Sequence, residues 1–215
     1  MHIEIIVEDS SGARLLEVLL PRILGEQGEP HTWRLHAYKG IGRIPQGLVT
    51  KDDPSKRMLL NQLPKLLRGY RKTHGIDAVV VVLDTDKRDC VTFLAELKAV
   101  AEGSAPGLNI LFRLAIEEIE AWYFGDQEAL FGAYPRARRE VLGKYVQDSR
   151  SDTWELLADA VRSGGSREIK KSGWPLPGQV KHEWAIKIGP LMDPDRNISP
   201  SFGKLRDGLR DLCGE

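Results

Sequence analysis

The sequence has little cysteine, no long apolar run and no net charge, and each absence argues against a class of protein. Two cysteines among 215 residues, Cys90 and Cys213, do not indicate a disulfide scaffold or a zinc site. No apolar run is long enough to cross a bilayer, and no basic and apolar leader precedes the first strand-like residues. We therefore expect a cytoplasmic protein without a membrane partner.

Charge is balanced over the whole chain, with 31 Lys and Arg against 31 Asp and Glu. A balanced total provides no global field that would attract nucleic acid, so any such binding needs a local basic patch. Two stretches are candidates, and both also fit a solvated charged surface. They contain Lys39, Arg43, Lys51, Lys56 and Arg57, and further along Arg136, Arg138, Arg139 and Lys144.

The most informative stretch is the apolar run at residues 78–83, which leads directly into Asp84-Thr85-Asp86. A continuous valine-rich run without alternation predicts a strand that is buried on both faces, as in a parallel sheet. Ligand sites in open parallel sheets collect at the carboxyl ends of such strands. Asp84 and Asp86 are therefore expected at a functional site.

Predicted strands and helices alternate around this run. Strands are predicted over residues 2–7, 32–38, 78–83 and 109–116, and helices over residues 13–24, 53–70 (with Pro54 at the first helical position) and 90–101. The alternation predicts an α/β fold, with a parallel sheet of about four strands flanked by helices.

The character of the sequence changes after Asp126. This part contains a basic stretch at residues 136–139 and a Gly- and Ser-rich break at residues 163–166. Helical patterns cover residues 152–161, 180–192 and 201–212. We predict an α/β core over residues 1–125 and a helical extension over residues 126–215 that packs on it. The tryptophans at 122, 154, 174 and 184 are expected to be packing residues rather than platforms for bases.

Acidic residues follow three of the predicted strands. They are Glu8, then Asp84 and Asp86, then Glu117, Glu118 and Glu120. If the strands are neighbours, these ends lie within ~10 Å of one another. Clustered carboxylates repel unless a cation holds them together, and hard oxygen ligands suit Mg²⁺ or Mn²⁺. The pattern predicts metal-dependent phosphodiester or phosphoryl chemistry.

Each acidic stretch also has a purely structural interpretation. Asp86 or Asp89 can cap the helix that follows, and Glu8 or Asp9 can cap the first helix. Residues 117–120 can form an acid-rich first helical turn. In a regular helix, side chains two residues apart diverge by ~200°, so Glu118 and Glu120 would not face one ion, and Glu120 is preferred.

At these residues the chain resembles the topoisomerase-primase (Toprim) family. The resemblance rests on Glu8 after the first strand, the glycine-containing turn at residues 9–12, and the Asp84-x-Asp86 motif after a later strand. Asp9 stands where glycine is commoner in that family. Residues 116–122, 189–192 and 199–202 look like a Toprim-like branch of prokaryotic proteins related to overcoming-lysogenization-defect and abortive-infection nucleases.

The resemblance implies a Mg²⁺-dependent nuclease in defence against mobile DNA, with nucleic acid as substrate. Asp84 and Asp86 would hold the metal, Glu8 would be the acid/base or a further ligand, and Glu118 and Glu120 would complete the set. Lysines at 170, 171, 181 and 187 are candidates to contact phosphate, and Lys187 is preferred.

A non-catalytic alternative stays open, in which a Toprim-like subunit binds nucleic acid or an ABC-type ATPase. A homodimer is a further expectation. The Asp-x-Asp motif also occurs in haloacid-dehalogenase-type phosphatases, but there it usually follows the first strand. A receiver domain would leave Asp86 and the extension unexplained.

Overall fold

Four parallel strands form the centre of the molecule, seen here in a computed structural model that describes residues 1–49, 53–149 and 152–214. The strands are β1 (His2–Val7), β2 (Thr32–Ala37), β3 (Ala78–Asp84) and β4 (Ile110–Ala115). Their order across the sheet is β2-β1-β3-β4. The predicted α/β fold is confirmed. In this order β1 and β3 are neighbours, so residues that directly follow the two strands lie at the same edge of the sheet.

The valine run of β3 is buried on both faces, as its composition predicts. Val79 to Val82 are each 0% exposed. Val80 and Val82 belong to one hydrophobic core, and Val79 and Val81 belong to a second core on the other face of the sheet. A strand with two covered faces has no polar side to present, which is why its residues do not alternate.

Three helices connect the strands. They are α1 (Ser10–Leu24), α2 (Leu59–Lys72) and α3 (Cys90–Ser104). Leu15, Leu16, Leu19 and Leu20 of α1 enter the first core. The buried leucines of α2 enter the second core together with Phe93, Leu97 and Val100 of α3. Because helices cover both faces of the sheet, the loops that follow the strands come together at its carboxyl edge.

The predicted start of the second helix is wrong. Pro54–Lys56 form a short 3-10 turn, and the α-helix begins only at Leu59. The N–H groups of Leu59 and Leu60 donate to the carbonyls of Gly40 and Ile41 at 2.9 and 2.7 Å. Carbonyls of the loop after β2 therefore satisfy the first helical donors, so the helix starts where that loop passes. Lys51 of the basic stretch lies outside the described residues.

Seven further helices follow β4 among the described residues. They are α4 (Ala121–Phe124), α5 (Gln127–Ala133), α6 (Arg139–Leu142), α7 (Thr153–Val161), α8 (Gly165–Ser172), α9 (Leu176–Lys187) and α10 (Pro200–Cys213). Helix α9 packs on α1, and α10 packs on α1 and β4. Side chains from before and after residue 125 share one hydrophobic core. The exact boundary between the two parts stays a prediction.

The tryptophans behave differently from one another. Trp122 and Trp184 are fully buried in the shared core, as expected. Trp174 is 82% exposed, so the expectation that it is a packing residue is wrong. It lies two residues before the start of α9, and its ring rests over Gly178, where a Cβ atom would approach the ring to 2.9 Å. Within the described ranges, no helix combines the length and apolarity needed to span a membrane.

Candidate active site at the carboxyl edge of the sheet

Glu8 and Asp84 meet at one edge of the sheet. Glu8 follows β1 and Asp84 ends β3, and these strands are parallel neighbours. The backbone N–H of Asp84 donates a hydrogen bond to Oε2 of Glu8 at 3.3 Å. Two acids that are 76 residues apart in the sequence therefore share one site. A Glu8 side chain at the opposite edge would have excluded the shared site.

The turn after β4 is hydrogen-bonded to the end of β3. The Oδ1 atom of Asp84 accepts a hydrogen bond from the Ile119 N–H at 3.0 Å. The hydroxyl of Thr85 accepts one from the Glu117 N–H at 2.7 Å, and the Asp86 N–H donates to the Glu117 carbonyl at 2.9 Å. These bonds hold the acidic segment of residues 117–120 beside Asp84.

Lys181 of α9 points into this acidic segment. Its Nζ atom lies 3.2 Å from Oε2 of Glu120 and 3.6 Å from Oε1 of Glu118. The two glutamates were expected to diverge only if this segment were a regular helix, and it is not. Residues 116–120 form bends and turns, and α4 begins only at Ala121. Both carboxylates can therefore approach one cation.

Glu118 has a second, structural set of partners. Its Oε2 atom accepts hydrogen bonds from the Thr153 hydroxyl at 3.0 Å and from the Trp154 N–H at 3.2 Å. Both donors lie in the first turn of α7, where backbone N–H groups lack helical partners. Glu118 therefore attaches α7 to the site, and ligation of a metal by this residue would compete with these bonds.

The helix caps are supplied by other acids. Asp9 caps α1 by accepting from the Gly12 N–H at 2.7 Å, and Asp89 caps α3 by accepting from the Thr92 N–H at 2.9 Å. Capping thus accounts for Asp9 and Asp89 and does not account for Glu8 or Asp84. Asp86 is exposed and lies 3.4 Å from Arg88.

Burial and mutual repulsion raise the pKa values of the central acids. Burial raises the pKa of Glu8 to about 7; the charges of Asp86 and Asp9 add to this rise, and the Asp84 N–H opposes it. Burial also raises the pKa of Glu120 to about 7, although Lys181 opposes the rise. The pKa of Asp84 lies well above its usual value because of burial and then the charges of Glu8 and Glu120.

Lys181 responds to the same field in the opposite direction. Burial alone would lower the pKa of its ammonium group, but the surrounding carboxylates, first Glu120 and then Glu118, Asp84 and Asp9, raise it. Lys181 is therefore charged at neutral pH. The site therefore contains one ammonium group and several carboxyl groups, and full ionisation of those carboxyl groups would leave an excess of negative charge.

The donor chemistry of the site fits a hard divalent cation. Among the residues that the structure describes, no group of three or more His, Cys, Asp and Glu is arranged to hold a metal ion. Mg²⁺ commonly binds through only one or two carboxylates and keeps several waters. Glu8 and Asp84 are adjacent and both have raised pKa values, so they are the residues that a cation would stabilise most.

Lys187, the preferred lysine in the sequence, has other contacts. Its Nζ atom lies 2.7 Å from Oε1 of Glu183 and 5.4 Å from the centre of the Tyr134 ring. The structure brings Lys181 to the acids instead. Lys181 precedes the buried residues Trp184 and Ala185 by three and four positions, so it lies on the apolar face of α9. A lysine on an apolar face was the signal available in the sequence.

Comparison with known proteins identifies a family. No curated protein and no solved structure matches the chain. The family described as Domain of unknown function (DUF4276) matches residues 7–210. This match includes all the acids of the site, Lys181 and most of the helical extension. The chain therefore belongs to the DUF4276 family.

Proposed function

We propose that this chain is a divalent-metal-dependent nuclease or related phosphodiester-processing enzyme, with its reacting groups at the carboxyl edge of the sheet. The observation that carries the proposal is the hydrogen bond between the Asp84 N–H and Glu8 Oε2, which unites two strand-end acids beside Glu120. The resemblance to Toprim-like nucleases supports the same chemistry.

Each residue has a definite role in this proposal. Glu8, with a pKa of about 7, takes a proton from an attacking water and is suited to general acid/base work near neutral pH. Lys181 holds Glu120 and Glu118, and its charge favours an anionic substrate. The Ile119 N–H fixes the orientation of the Asp84 carboxylate.

Asp84 and the exposed Asp86 would hold Mg²⁺ or Mn²⁺, with Glu8 and Glu120 beside them. When bound there, the metal would polarise a phosphoryl oxygen and offset negative charge at the phosphate. Because Asp86 is exposed and pairs only loosely with Arg88, it is free to turn toward a cation.

The test is cleavage by the purified full chain with Mg²⁺ or Mn²⁺, using supercoiled plasmid and labelled single-stranded DNA and RNA. We expect E8Q and D84N each to reduce the cleavage rate by roughly 100-fold or more, as expected for loss of a catalytic acid/base or metal ligand. Circular dichroism should show an unchanged fold.

D89N is the matched control, because Asp89 follows the same strand but caps α3 instead of facing Glu8. It should retain cleavage close to the unmodified rate. Equal activity in the unmodified chain and in the D84N D86N double variant would contradict the nuclease proposal.

A non-catalytic partner subunit is the second candidate, and one observation favours it. Lys181 already neutralises part of the acidic segment, as an internal cation does in a purely structural ion-pair network. This function predicts no cleavage with Mn²⁺ by the chain alone, together with binding of nucleic acid or of an ABC-type ATPase. Nicking assays with and without the ATPase separate the two functions.

A further inference from the structure

The neutral total charge of the chain conceals one strongly basic segment. Residues 39–72 contain nine Lys and Arg but only two Asp, whereas the whole chain has equal numbers of the two signs. This segment comprises the loop after β2 and helix α2. Such a separation of charge creates a local positive field that the overall composition does not indicate.

A groove lies along this segment, between the end of β2 and α2. Its volume is about 430 Å³, and the residues that define its chemistry are Tyr38, Arg57, Gln62, Lys65 and Tyr70. The described residues that line it include no Asp or Glu. We call it the basic groove.

The basic groove begins beside the candidate active site. The Tyr38 N–H donates to the Val7 carbonyl at 3.0 Å, and the Gly40 N–H donates to the Glu8 carbonyl at 3.0 Å. The wall of the groove is therefore attached to the backbone that carries Glu8. From there the groove follows α2 past Lys65 to Thr73.

Arg57 is held in place while part of its guanidinium remains available. Its Nη2 atom donates to the Ala37 carbonyl at 2.8 Å, and its Cζ atom lies 5.5 Å from the centre of the Tyr38 ring. A guanidinium group has five N–H donors, so further donors can contact an anion. Lys65 is exposed on the wall formed by α2 and adds a second cation.

We propose that the basic groove binds the sugar-phosphate backbone of a nucleic acid strand and guides it to the acids at the carboxyl edge, with Arg57 and Lys65 contacting phosphates. This inference rests on the proposed nuclease function and names the substrate-binding surface for it. Two cations on the groove walls, the absence of acids from its described lining and its attachment to the Glu8 backbone support this occupant.

The test is binding of a fluorescein-labelled deoxythymidine oligonucleotide of about 15 nucleotides, and of a labelled duplex, to the full chain. Fluorescence anisotropy is measured with a chelator present, so that metal-dependent cleavage does not occur. We expect R57Q and K65Q each to lower affinity by roughly three- to fivefold, the effect of one exposed ion pair. Each should also reduce the slope of log affinity against log salt by about 0.7 to 0.9.

The matched control is K98Q, which removes an exposed lysine from α3, outside the groove. It should leave affinity and salt slope unchanged, and R57K should restore the slope that R57Q loses. Because Arg57 also holds the Ala37 carbonyl, K65Q provides the test that does not depend on local structure.

Three results would overturn the inference. They are an affinity of K65Q equal to that of the unmodified chain, an equal loss of affinity in K98Q, and tighter binding of poly-glutamate than of the oligonucleotide. The last would assign the groove to an acidic protein surface. Failure of the nuclease proposal would look different: the unmodified chain would not cleave with Mg²⁺ or Mn²⁺, while binding would still depend on Arg57 and Lys65.

Discussion

Two buried carboxylates on either side of α4, Asp126 and Glu120, illustrate opposite uses of an acid. Asp126 is 1% exposed and Glu120 is 3% exposed. Burial raises the pKa of Asp126, but hydrogen bonds from Arg196, Asp193 and Ala129 outweigh it and bring the pKa below its usual value. The pKa of Glu120 instead rises to about 7.

The number of donors explains the difference. The Asp126 carboxylate accepts from Ala129 N–H at 3.1 Å, Asp193 N–H at 2.7 Å, and Arg196 Nε and Nη2 at 2.9 Å each. Glu120 accepts from Lys181 at 3.2 Å and lies near other carboxylates. Asp126 is therefore stabilised as an anion and holds the chain together, whereas Glu120 belongs to a site with unbalanced charge, which is typical of functional sites.

The largest effect on stability is expected from K181M. Removal of the ammonium leaves Glu118 and Glu120 without their cation and should lower the free energy of unfolding by about 3–5 kcal/mol, the usual result of breaking a buried ion pair. The loss should be larger at pH 8 than at pH 5.5, because the pKa of Glu120 is about 7 and protonation of this residue relieves the loss at lower pH. Urea unfolding at both pH values measures the difference. An equal loss at both pH values would contradict the charge imbalance.

R196M tests the other side of the comparison. It removes two donors from Asp126 and should lower the free energy of unfolding by less than K181M does, because Arg196 is exposed whereas Lys181 is largely buried. A lowered pKa in the folded state contributes stability that is present above the usual pKa of 3.8 and is lost as pH falls through the folded value. The difference between R196M and the unmodified chain should therefore stay constant from pH 6 to pH 8. A marked change within that range would contradict it.

E8Q should stabilise the protein at pH 8, whereas K181M and R196M should destabilise it. The pKa of Glu8 is about 7 in the folded state, and its ordinary value is 4.5. Between these two pH values the folded state binds more protons than the unfolded state, so the free energy of unfolding falls as pH rises through this range. Without metal, E8Q should be more stable than the unmodified chain by about 1–3 kcal/mol at pH 8. At pH 4 the two should be nearly equal.

The effect of Mg²⁺ on the melting temperature of E8Q and of the unmodified chain tests whether Glu8 lies beside a bound cation. At pH 8 it should raise the melting temperature of the unmodified chain more than that of E8Q, because only the former keeps both adjacent carboxylates. Equal shifts in the two proteins would place the ion elsewhere.

The smallest effect on stability is expected from D86N. Asp86 is exposed, and its ion pair with Arg88 is long, at 3.4 Å. The free energy of unfolding should change by less than about 0.5 kcal/mol. A large loss of Mn²⁺-dependent cleavage in the same variant would identify Asp86 as a metal ligand, and full cleavage would remove it from the site.

The strands and the positions of their acids were predictable because both depend on short-range pattern. Four consecutive buried valines require a strand with two covered faces, and Asp84 necessarily stands at its end. The start of α2 was not predictable in the same way. Carbonyls of Gly40 and Ile41 satisfy its first donors, and no local signal near Pro54 reports a contact with that loop.

By itself, the sequence determined the parallel α/β sheet and the concentration of acids at one edge, because side-chain burial and strand direction follow from local composition. Only the tertiary structure decided that Lys181 lies among those acids, 61 residues from Glu120, and that Glu118 also holds α7. The physical reason is that the pKa of a carboxyl group depends on its distance from other charges and from water, and those distances are set by how the helical extension packs against the sheet.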